Sequence, residues 1–182
     1  MHLKSSNLYN RKFTWYSRRM IVTIGELAAI RKRHEGQRIA FCSGVFDLTH
    51  AGHVLFFEDC KKNADILVVG VSRGASVAKR KETGRPVMNH HLRLKMVDSL
   101  KPVDYCILNE PSPPDDPFAG TKQMFQTLQP DIYVVNEDAF DLAAREELVK
   151  PYGVKLLALK RWCPEEFEGI STTKLIEKIK QS

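Results

Sequence analysis

Long hydrophobic runs, an apolar N-terminal segment and an excess of one charge over the main body are all missing from this 182-residue sequence. The longest apolar stretches, residues 66–71 and 156–159, are far shorter than the roughly 20 residues that a membrane-spanning helix needs. No apolar core of a signal peptide follows the N-terminus, so the sequence gives no indication of secretion. We therefore expect a soluble cytoplasmic protein with no membrane partner.

The formal net charge of +6 is concentrated at one end of the chain. Residues 1–20 hold five basic side chains and no acidic one, whereas basic and acidic residues are nearly balanced in the rest. A dedicated nucleic-acid-binding protein needs a basic surface on its folded body, so no nucleic-acid partner is expected. We predict a basic, flexible leader over 1–20 and a single domain over 21–182. The alternatives for the leader are an organelle-targeting segment and sequence upstream of a translation start at Met20.

Cysteine is scarce and its pattern is uninformative. The four cysteines have spacings of 18, 46 and 57 residues, which match no zinc, thioredoxin or haem motif. His90 and His91 are adjacent, and adjacent side chains on a helix point in different directions. We therefore interpret the cysteines as reduced thiols and assign no metal ligands.

Segments with strand and helix patterns alternate along the chain. The residues predicted as strands are 38–43, 65–72, 103–108, 131–135 and 154–159. Those predicted as helices after the first strand are 52–63, 89–101, 121–128, 139–150 and 171–180. Strands 65–72 and 154–159 are apolar almost throughout, as in sheets that are covered on both faces. The pattern predicts an α/β fold in which a five-stranded parallel sheet lies between two layers of helices.

The turn after the first predicted strand, residues 44–53 (GVFDLTHAGH), carries a potential anion site. A helix that begins near Gly52 directs its free backbone N–H groups and its positive dipole end into the turn. His50 and His53 are three residues apart and can face the same way, which adds imidazole donors. Neither a Walker A motif nor a dinucleotide-binding glycine motif occurs in the sequence. The turn therefore predicts a phosphate site, with two surface histidines at a helix cap as the alternative.

A second group of anion-binding residue types follows the last predicted strand. Ser171, Thr172 and Thr173 come after Gly169 at the start of the final helix, where hydroxyls and amides can hold phosphate oxygens. Capping of the helix by Ser171 would account for one hydroxyl but not for three in succession.

Together, HAGH at 50–53 and ISTT at 170–173 resemble the HxGH and ISTT motifs of the cytidylyltransferase-like nucleotidyltransferase superfamily. The resemblance runs from about residue 38 to residue 179 and is similar in detail to heptose-1-phosphate nucleotidyltransferases and glycerol-3-phosphate cytidylyltransferases. It implies a Rossmann-like, three-layer domain that transfers NMP from ATP or CTP to a sugar phosphate or polyol phosphate and releases pyrophosphate. Magnesium is expected with the NTP, and a homodimer is a possible assembly. FAD synthetase and a catalytically silent nucleotide-binding module are the alternatives.

The resemblance also implies roles for particular residues. Those with catalytic roles are His50, His53, Lys61 and Arg93. Those expected to bind nucleotide or phosphate are Gly44, Val45, Phe46, Asp47, Gly52, Ser171, Thr172 and Thr173. Those expected near the acceptor or the triphosphate are Lys81, Arg85 and Asp138.

Three positions leave a choice open. Asp47 can assist the magnesium ion or accept hydrogen bonds from turn amides. Trp162 can stack on a base or cover the core. Arg161 lies farther from the ISTT segment than the corresponding arginine of cytidylyltransferases, which weakens the case for CTP.

The chemistry implied by the resemblance needs no activated nucleophile, since the attacking group is an anionic phosphate oxygen. The obstacle is the approach of two polyanions and the charge that develops on pyrophosphate. Positioning and positive electrostatics address both.

Overall fold

The computed structural model describes residues 21–73, 85–113, 115–167 and 171–181. Within them, six parallel strands form one sheet in the order β1-β4-β3-β2-β5-β6. The strands are β1 (Ile21–Val22), β2 (Ile39–Gly44), β3 (Ile66–Val71), β4 (Tyr105–Leu108), β5 (Ile132–Asn136) and β6 (Lys155–Leu159).

Hydrophobic cores cover both faces of the sheet, and β3 shows why its sequence is apolar throughout. All six of its residues are buried, and Val68 packs in one core while Leu67 and Val69 pack in the other. Successive strand residues point to opposite faces, so a strand between two helix layers needs apolar side chains at every position. The three-layer α/β prediction is therefore confirmed, with six strands rather than five.

The additional strand is β1, a two-residue segment paired with β4 at the sheet edge. It is too short to show an alternating or continuous apolar pattern, which is why the sequence pattern did not reveal it.

Six α-helices surround the sheet in the described residues. They are α1 (Leu27–Arg33), α2 (Ala51–Lys62), α3 (His90–Asp98), α4 (Ala119–Leu128), α5 (Leu142–Val149) and α6 (Thr172–Lys180). Buried residues of α2 and α3 contribute to one core, and those of α1, α4 and α5 contribute to the other. None of the described helices is long and apolar enough to cross a membrane.

A helix cap accounts for one difference between a predicted and an observed boundary. Helix α5 begins at Leu142 rather than near Ala139, because Asp141 accepts a hydrogen bond from the Ala144 N–H at 3.2 Å. An Asp at this position satisfies one of the free N–H groups at a helix start.

Strand β2 lies at the point in the sheet where the order of strand addition reverses. From β2 the chain proceeds to β3 and β4 on one side, whereas β5 and β6 lie on the other. In sheets of this kind, a crevice that can hold a ligand opens beyond the carboxyl end of the strand at the switch. The turn that follows β2 contains residues 45–50.

Candidate active site

A cleft of about 480 Å³ opens at the carboxyl edge of the sheet. Its central wall is the turn after β2 and the first turn of α2, including His50 and His53. The ends of β5 and β6 and the loops that follow them form one side, and Arg85, Pro86 and Thr172 complete the lining. The cleft thus lies where the strand order predicts a ligand site.

The shape of the turn depends on a buried phenylalanine. Phe46 has a φ of 50° and Leu48 a φ of 44°, both in the left-handed region that non-glycine residues rarely adopt. The Phe46 ring is 7% exposed and packs against Phe57, with ring centroids 4.9 Å apart. A Cβ on Gly44 would lie 2.9 Å from the Phe46 ring, so the ring fits because residue 44 is glycine. Packing of Phe46 into the core therefore holds the backbone in this turn.

The two histidines lie together at the start of α2. His50 is the N-cap residue, its backbone N–H lies 3.4 Å from His53 Nδ1, and the two rings stack with centroids 4.0 Å apart. Burial lowers the pKa of His50, and the positive charge of Arg161 lowers it further. The lowered pKa favours the neutral imidazole, which offers one donor and one acceptor. Both rings lie beside the free N–H groups of a twelve-residue helix.

Thr172 joins the two segments that the sequence places far apart. Its hydroxyl donates to the Asp47 carbonyl oxygen at 3.0 Å and lies 3.4 Å from His50 Nε2. The contacts span 125 and 122 residues of sequence. The HAGH and ISTT segments thus share one cleft.

The other two hydroxyls of the ISTT segment have different surroundings. Ser171 caps α6 by accepting a hydrogen bond from the Lys174 N–H at 3.2 Å, so the capping alternative holds for this residue. The Thr173 hydroxyl accepts from Arg85 Nη1 at 3.3 Å. Arg85 is thereby drawn to the mouth of the cleft beside the ISTT segment.

Asp47 orders a distant loop. Its side chain is 6% exposed and accepts hydrogen bonds from the Val87 N–H at 2.7 Å and the Met88 N–H at 2.9 Å. The amide-bonding alternative is therefore the one observed, although the amides come from forty residues away rather than from the same turn.

The described residues do not form a magnesium site of their own. No group of three or more His, Cys, Asp or Glu side chains is arranged to hold a metal in this part of the chain. Both carboxylate oxygens of Asp47 accept backbone hydrogen bonds, and Asp138 forms an ion pair. We therefore assign no protein ligand to magnesium.

Arg93 lies behind the turn that follows β2, outside the residues that line the cleft. Its fully buried guanidinium donates through Nη1 to the carbonyl oxygens of Val45 at 2.5 Å and Ser72 at 2.8 Å. Nε donates to the Met88 carbonyl oxygen at 2.9 Å. Burial lowers the pKa of Arg93 and the nearby Asp47 charge opposes this, but a guanidinium stays charged in proteins. Arg93 thus contacts three backbone carbonyl oxygens and does not line the cleft, and its expected catalytic role stays a prediction.

The expectation that Lys61 contacts nucleotide phosphates is corrected by the structure. Lys61 lies in the last turn of α2, where Nζ forms an ion pair with Asp104 Oδ2 at 2.5 Å and donates to the Asp65 carbonyl oxygen. A twelve-residue helix is about 18 Å long, so its last turn lies far from the histidines at its first. Lys61 is therefore at the amino edge of the sheet and ties α2 to the start of β4.

Asp138 and Arg161 form an ion pair on the side of the cleft that β5, β6 and their following loops form. The Asp138 carboxylate and Arg161 Nε lie 2.8 Å apart, and both residues line the cleft. The structure thus brings Asp138 to the site, together with an arginine whose role the sequence left open. Lys81 lies outside the described residues.

Sequence reasoning missed Phe140 and Arg145 as lining residues. Arg145 donates to the Phe140 carbonyl oxygen at 3.0 Å and to the Tyr133 hydroxyl, and its guanidinium lies 5.2 Å from the Phe118 ring centroid. Neither residue belongs to a recognisable motif. Phe140 lies in the loop after β5, at the carboxyl edge, which could have indicated it, whereas Arg145 lies in α5 and had no such signal.

A parallel α/β sheet with an amide- and imidazole-lined turn at its switch point defines a nucleotide-binding domain of the nucleotidyltransferase type. Comparison with known proteins gives the family: the model of the cytidylyltransferase-like family matches residues 41–178, and the chain belongs to this family. The family resemblance and the nucleotidyltransferase class predicted from the sequence are thereby confirmed.

Among the curated relatives of this chain are proteins named HldE and a protein named FAD synthase. The chain is 32% identical over 158 residues to the bifunctional protein HldE of Pseudomonas aeruginosa (strain LESB58), a match that covers 85% of this chain and 30% of HldE. It is 39% identical over 140 residues to the FAD synthase of Aciduliprofundum boonei (strain DSM 19572 / T469), covering 75% of this chain and 87% of that protein. The chain thus spans about 30% of the length of the HldE relatives that it matches.

A solved structure supports the fold assignment. The lipopolysaccharide core biosynthesis protein of Thermoplasma volcanium GSS1 superposes with a TM-score of 0.59 at 27% sequence identity. The superposition covers 70% of this chain and 100% of that chain.

Proposed function

We propose that this protein transfers NMP from ATP or CTP to the phosphate group of a sugar phosphate or polyol phosphate, of the heptose-1-phosphate or glycerol-3-phosphate type, and releases pyrophosphate. The observation that carries the proposal is the contact of Thr172 with His50 and with the Asp47 carbonyl. It joins two phosphate-binding segments around one cleft at the switch point of the sheet.

In this reaction an acceptor phosphate oxygen attacks the α-phosphorus of the NTP. The new P–O bond forms as the bond between the α-phosphorus and the bridging oxygen to the β-phosphate breaks, and pyrophosphate leaves with the electron pair. The attacking oxygen is already ionised, so no side chain has to remove a proton.

The cleft residues contribute by holding phosphates and by stabilising charge. The imidazoles of His50 and His53 and the N–H groups at the start of α2 would donate to α- and β-phosphate oxygens. The Thr173 hydroxyl and Arg85 would hold the terminal phosphates, and the Thr172 hydroxyl would donate to them on turning away from the Asp47 carbonyl oxygen. Donors fixed before the reaction stabilise developing charge without having to reorganise.

Magnesium is the expected companion of the triphosphate, and it would offset phosphate charge while bound mainly to phosphate oxygens and water. This arrangement fits a cleft in which Asp47 is engaged by backbone amides, Asp138 by arginine and Asp59 by lysine.

FAD synthesis is the second candidate. The FAD synthase relative is matched over 87% of its length, and the cleft exposes the aromatic side chains of Phe140 and Trp162. FMN also presents a terminal phosphate, so the same phosphate-binding residues would serve and only the acceptor pocket would differ.

A substrate screen tests the proposal. The full chain is incubated with ATP or CTP and, in turn, heptose-1-phosphate, glycerol-3-phosphate or FMN, and products are followed by pyrophosphate release and mass spectrometry. We expect a nucleoside-diphosphate sugar or polyol, and formation of FAD would instead establish the second candidate. Absence of pyrophosphate release with every pair would contradict both and leave a nucleotide-binding module.

A matched pair of variants links turnover to the cleft. Thr172→Val removes the hydroxyl at nearly constant volume and should lower turnover by about 100-fold, because donors of this kind contribute roughly 10²- to 10³-fold. Thr127→Val, on α4 and outside the cleft lining, is the control and should leave turnover unchanged. Equal activity of the two variants would argue against the proposed site.

A further inference from the structure

Trp162 is a large aromatic side chain that the fold leaves uncovered. It lies in the loop after β6, lines the cleft and is 61% exposed. Burial of an aromatic side chain contributes favourably to stability, so a role in covering the core would require the ring to be inside. The exposure rules out the core-covering alternative that the sequence left open.

The surroundings of Trp162 indicate which part of a ligand it faces. Phe140, in the loop after β5, lines the same cleft and is 63% exposed. Strands β5 and β6 are neighbours, and both lie on the other side of β2 from β3. The two aromatic side chains therefore belong to the same side of the cleft. The anion-binding groups belong instead to the turn after β2 and the start of α6.

Arg161, the residue before Trp162, is paired with Asp138 at 2.8 Å. The ion pair offsets part of its charge, while Lys160 and Arg145 add positive charge to the same side of the cleft. Beside these groups the exposed Trp162 ring offers a flat apolar surface, which suits a planar ring with polar edges. Every form of the proposed reaction uses an NTP, which carries a triphosphate and such a ring in one molecule.

We propose that Trp162 stacks on the base of the bound NTP and acts as a specificity-determining residue that favours ATP over CTP. This inference rests on the proposed function. A purine offers a larger π-surface than a pyrimidine, so the same stacking contact should stabilise bound ATP more than bound CTP.

Fluorescence provides a direct test, because the chain has only two tryptophans. In the Trp15→Phe variant, Trp162 is the only tryptophan and reports on its own surroundings. We expect ATP to quench its emission saturably and at lower concentration than CTP. Tripolyphosphate, which has no base, should compete with ATP without quenching.

Affinity measurements complete the test. Trp162→Ala should weaken ATP binding by about 5- to 100-fold, as expected from loss of one stacked base, and leave tripolyphosphate binding unchanged. Trp162→Phe should restore most of the ATP affinity. Phe167→Ala is the matched control, since Phe167 is 41% exposed but does not line the cleft, and it should bind ATP like the wild type.

The possible failures can be told apart. Three results would overturn the role of Trp162 while the reaction itself could still be measured. They are unchanged ATP affinity in Trp162→Ala, quenching by tripolyphosphate equal to that by ATP, and quenching by FMN with none by ATP. Absence of any NTP binding to the wild type by calorimetry would overturn the proposed function as well.

Discussion

Replacement of Arg93 by lysine tests whether the hydrogen bonds of its guanidinium fix the position of the turn that follows β2. In the wild type, one guanidinium donates to the carbonyl oxygens of Val45, Ser72 and Met88. Lysine keeps the positive charge but concentrates its donors on a single nitrogen, whereas arginine spreads them over a rigid fork. We expect the lysine variant to keep one of the three hydrogen bonds and to lose two.

The expected effect follows from the number of lost bonds. A hydrogen bond to a charged group contributes about 1.5–3 kcal/mol, so two such bonds correspond to about 3–6 kcal/mol of the free energy of unfolding. Domains of this kind have a total of about 5–15 kcal/mol, so the variant should still fold under mild conditions. The displaced turn should lower kcat by about 100-fold, because misplacement of catalytic groups by roughly 1 Å has effects of that size.

Urea unfolding and steady-state kinetics measure the two effects separately. Arg31→Lys is the control, since Arg31 also donates to loop carbonyls and pairs with Asp131, but it is partly exposed and distant from the cleft. It should lose less than about 1 kcal/mol and retain full turnover. Wild-type stability with lost turnover in Arg93→Lys would refute the positioning role and indicate contact with substrate. Wild-type values for both would show that the three hydrogen bonds are dispensable.

Two further predictions concern the histidine pair. His53→Ala should leave the circular dichroism spectrum unchanged and lower turnover at least about 100-fold. His91→Ala is the control, because His91 is exposed. Wild-type turnover in His53→Ala would contradict the proposed phosphate site. His50 should titrate by NMR below its ordinary value of 6.5, and Arg161→Gln should raise that pKa. Because the lowered pKa means that the unfolded chain binds the proton more readily, the free energy of unfolding should increase with pH between the pKa of the folded state and 6.5. A measured pKa at or above 6.5 would count against this account of the site.

Much of the fold was predictable because burial on both faces of the sheet leaves a distinct pattern. The unbroken apolar run of β3 predicted a central strand, and alternation with helices predicted a parallel sheet. The family resemblance implied that the HAGH and ISTT segments both bind the nucleotide, and Thr172 brings the two segments into contact. A cytoplasmic location and a homodimer stay predictions from the sequence.

The differences from the sequence-based expectations concern the position of a side chain along its helix or the direction in which it points, which a motif does not encode. Lys61 lies on the predicted helix but at its far end, where Asp104 neutralises it. Arg93 lies near the predicted turn, yet its side chain points to the carbonyl groups behind it. The lining role of Arg145 depends on packing against Tyr133 and Phe118, which are distant in sequence. Such contacts arise only when the tertiary structure is complete.

The contact between Thr172 and Asp47 closes a loop of 125 residues. Long loops close late in folding, because their ordering entropy is offset only when many other contacts already exist. A refolding intermediate that contains β2, α2 and β3 would present both histidines but lack the threonine hydroxyl. Recovery of enzyme activity after dilution from denaturant should therefore lag behind recovery of secondary structure, and enzymatic competence marks the last stage of assembly.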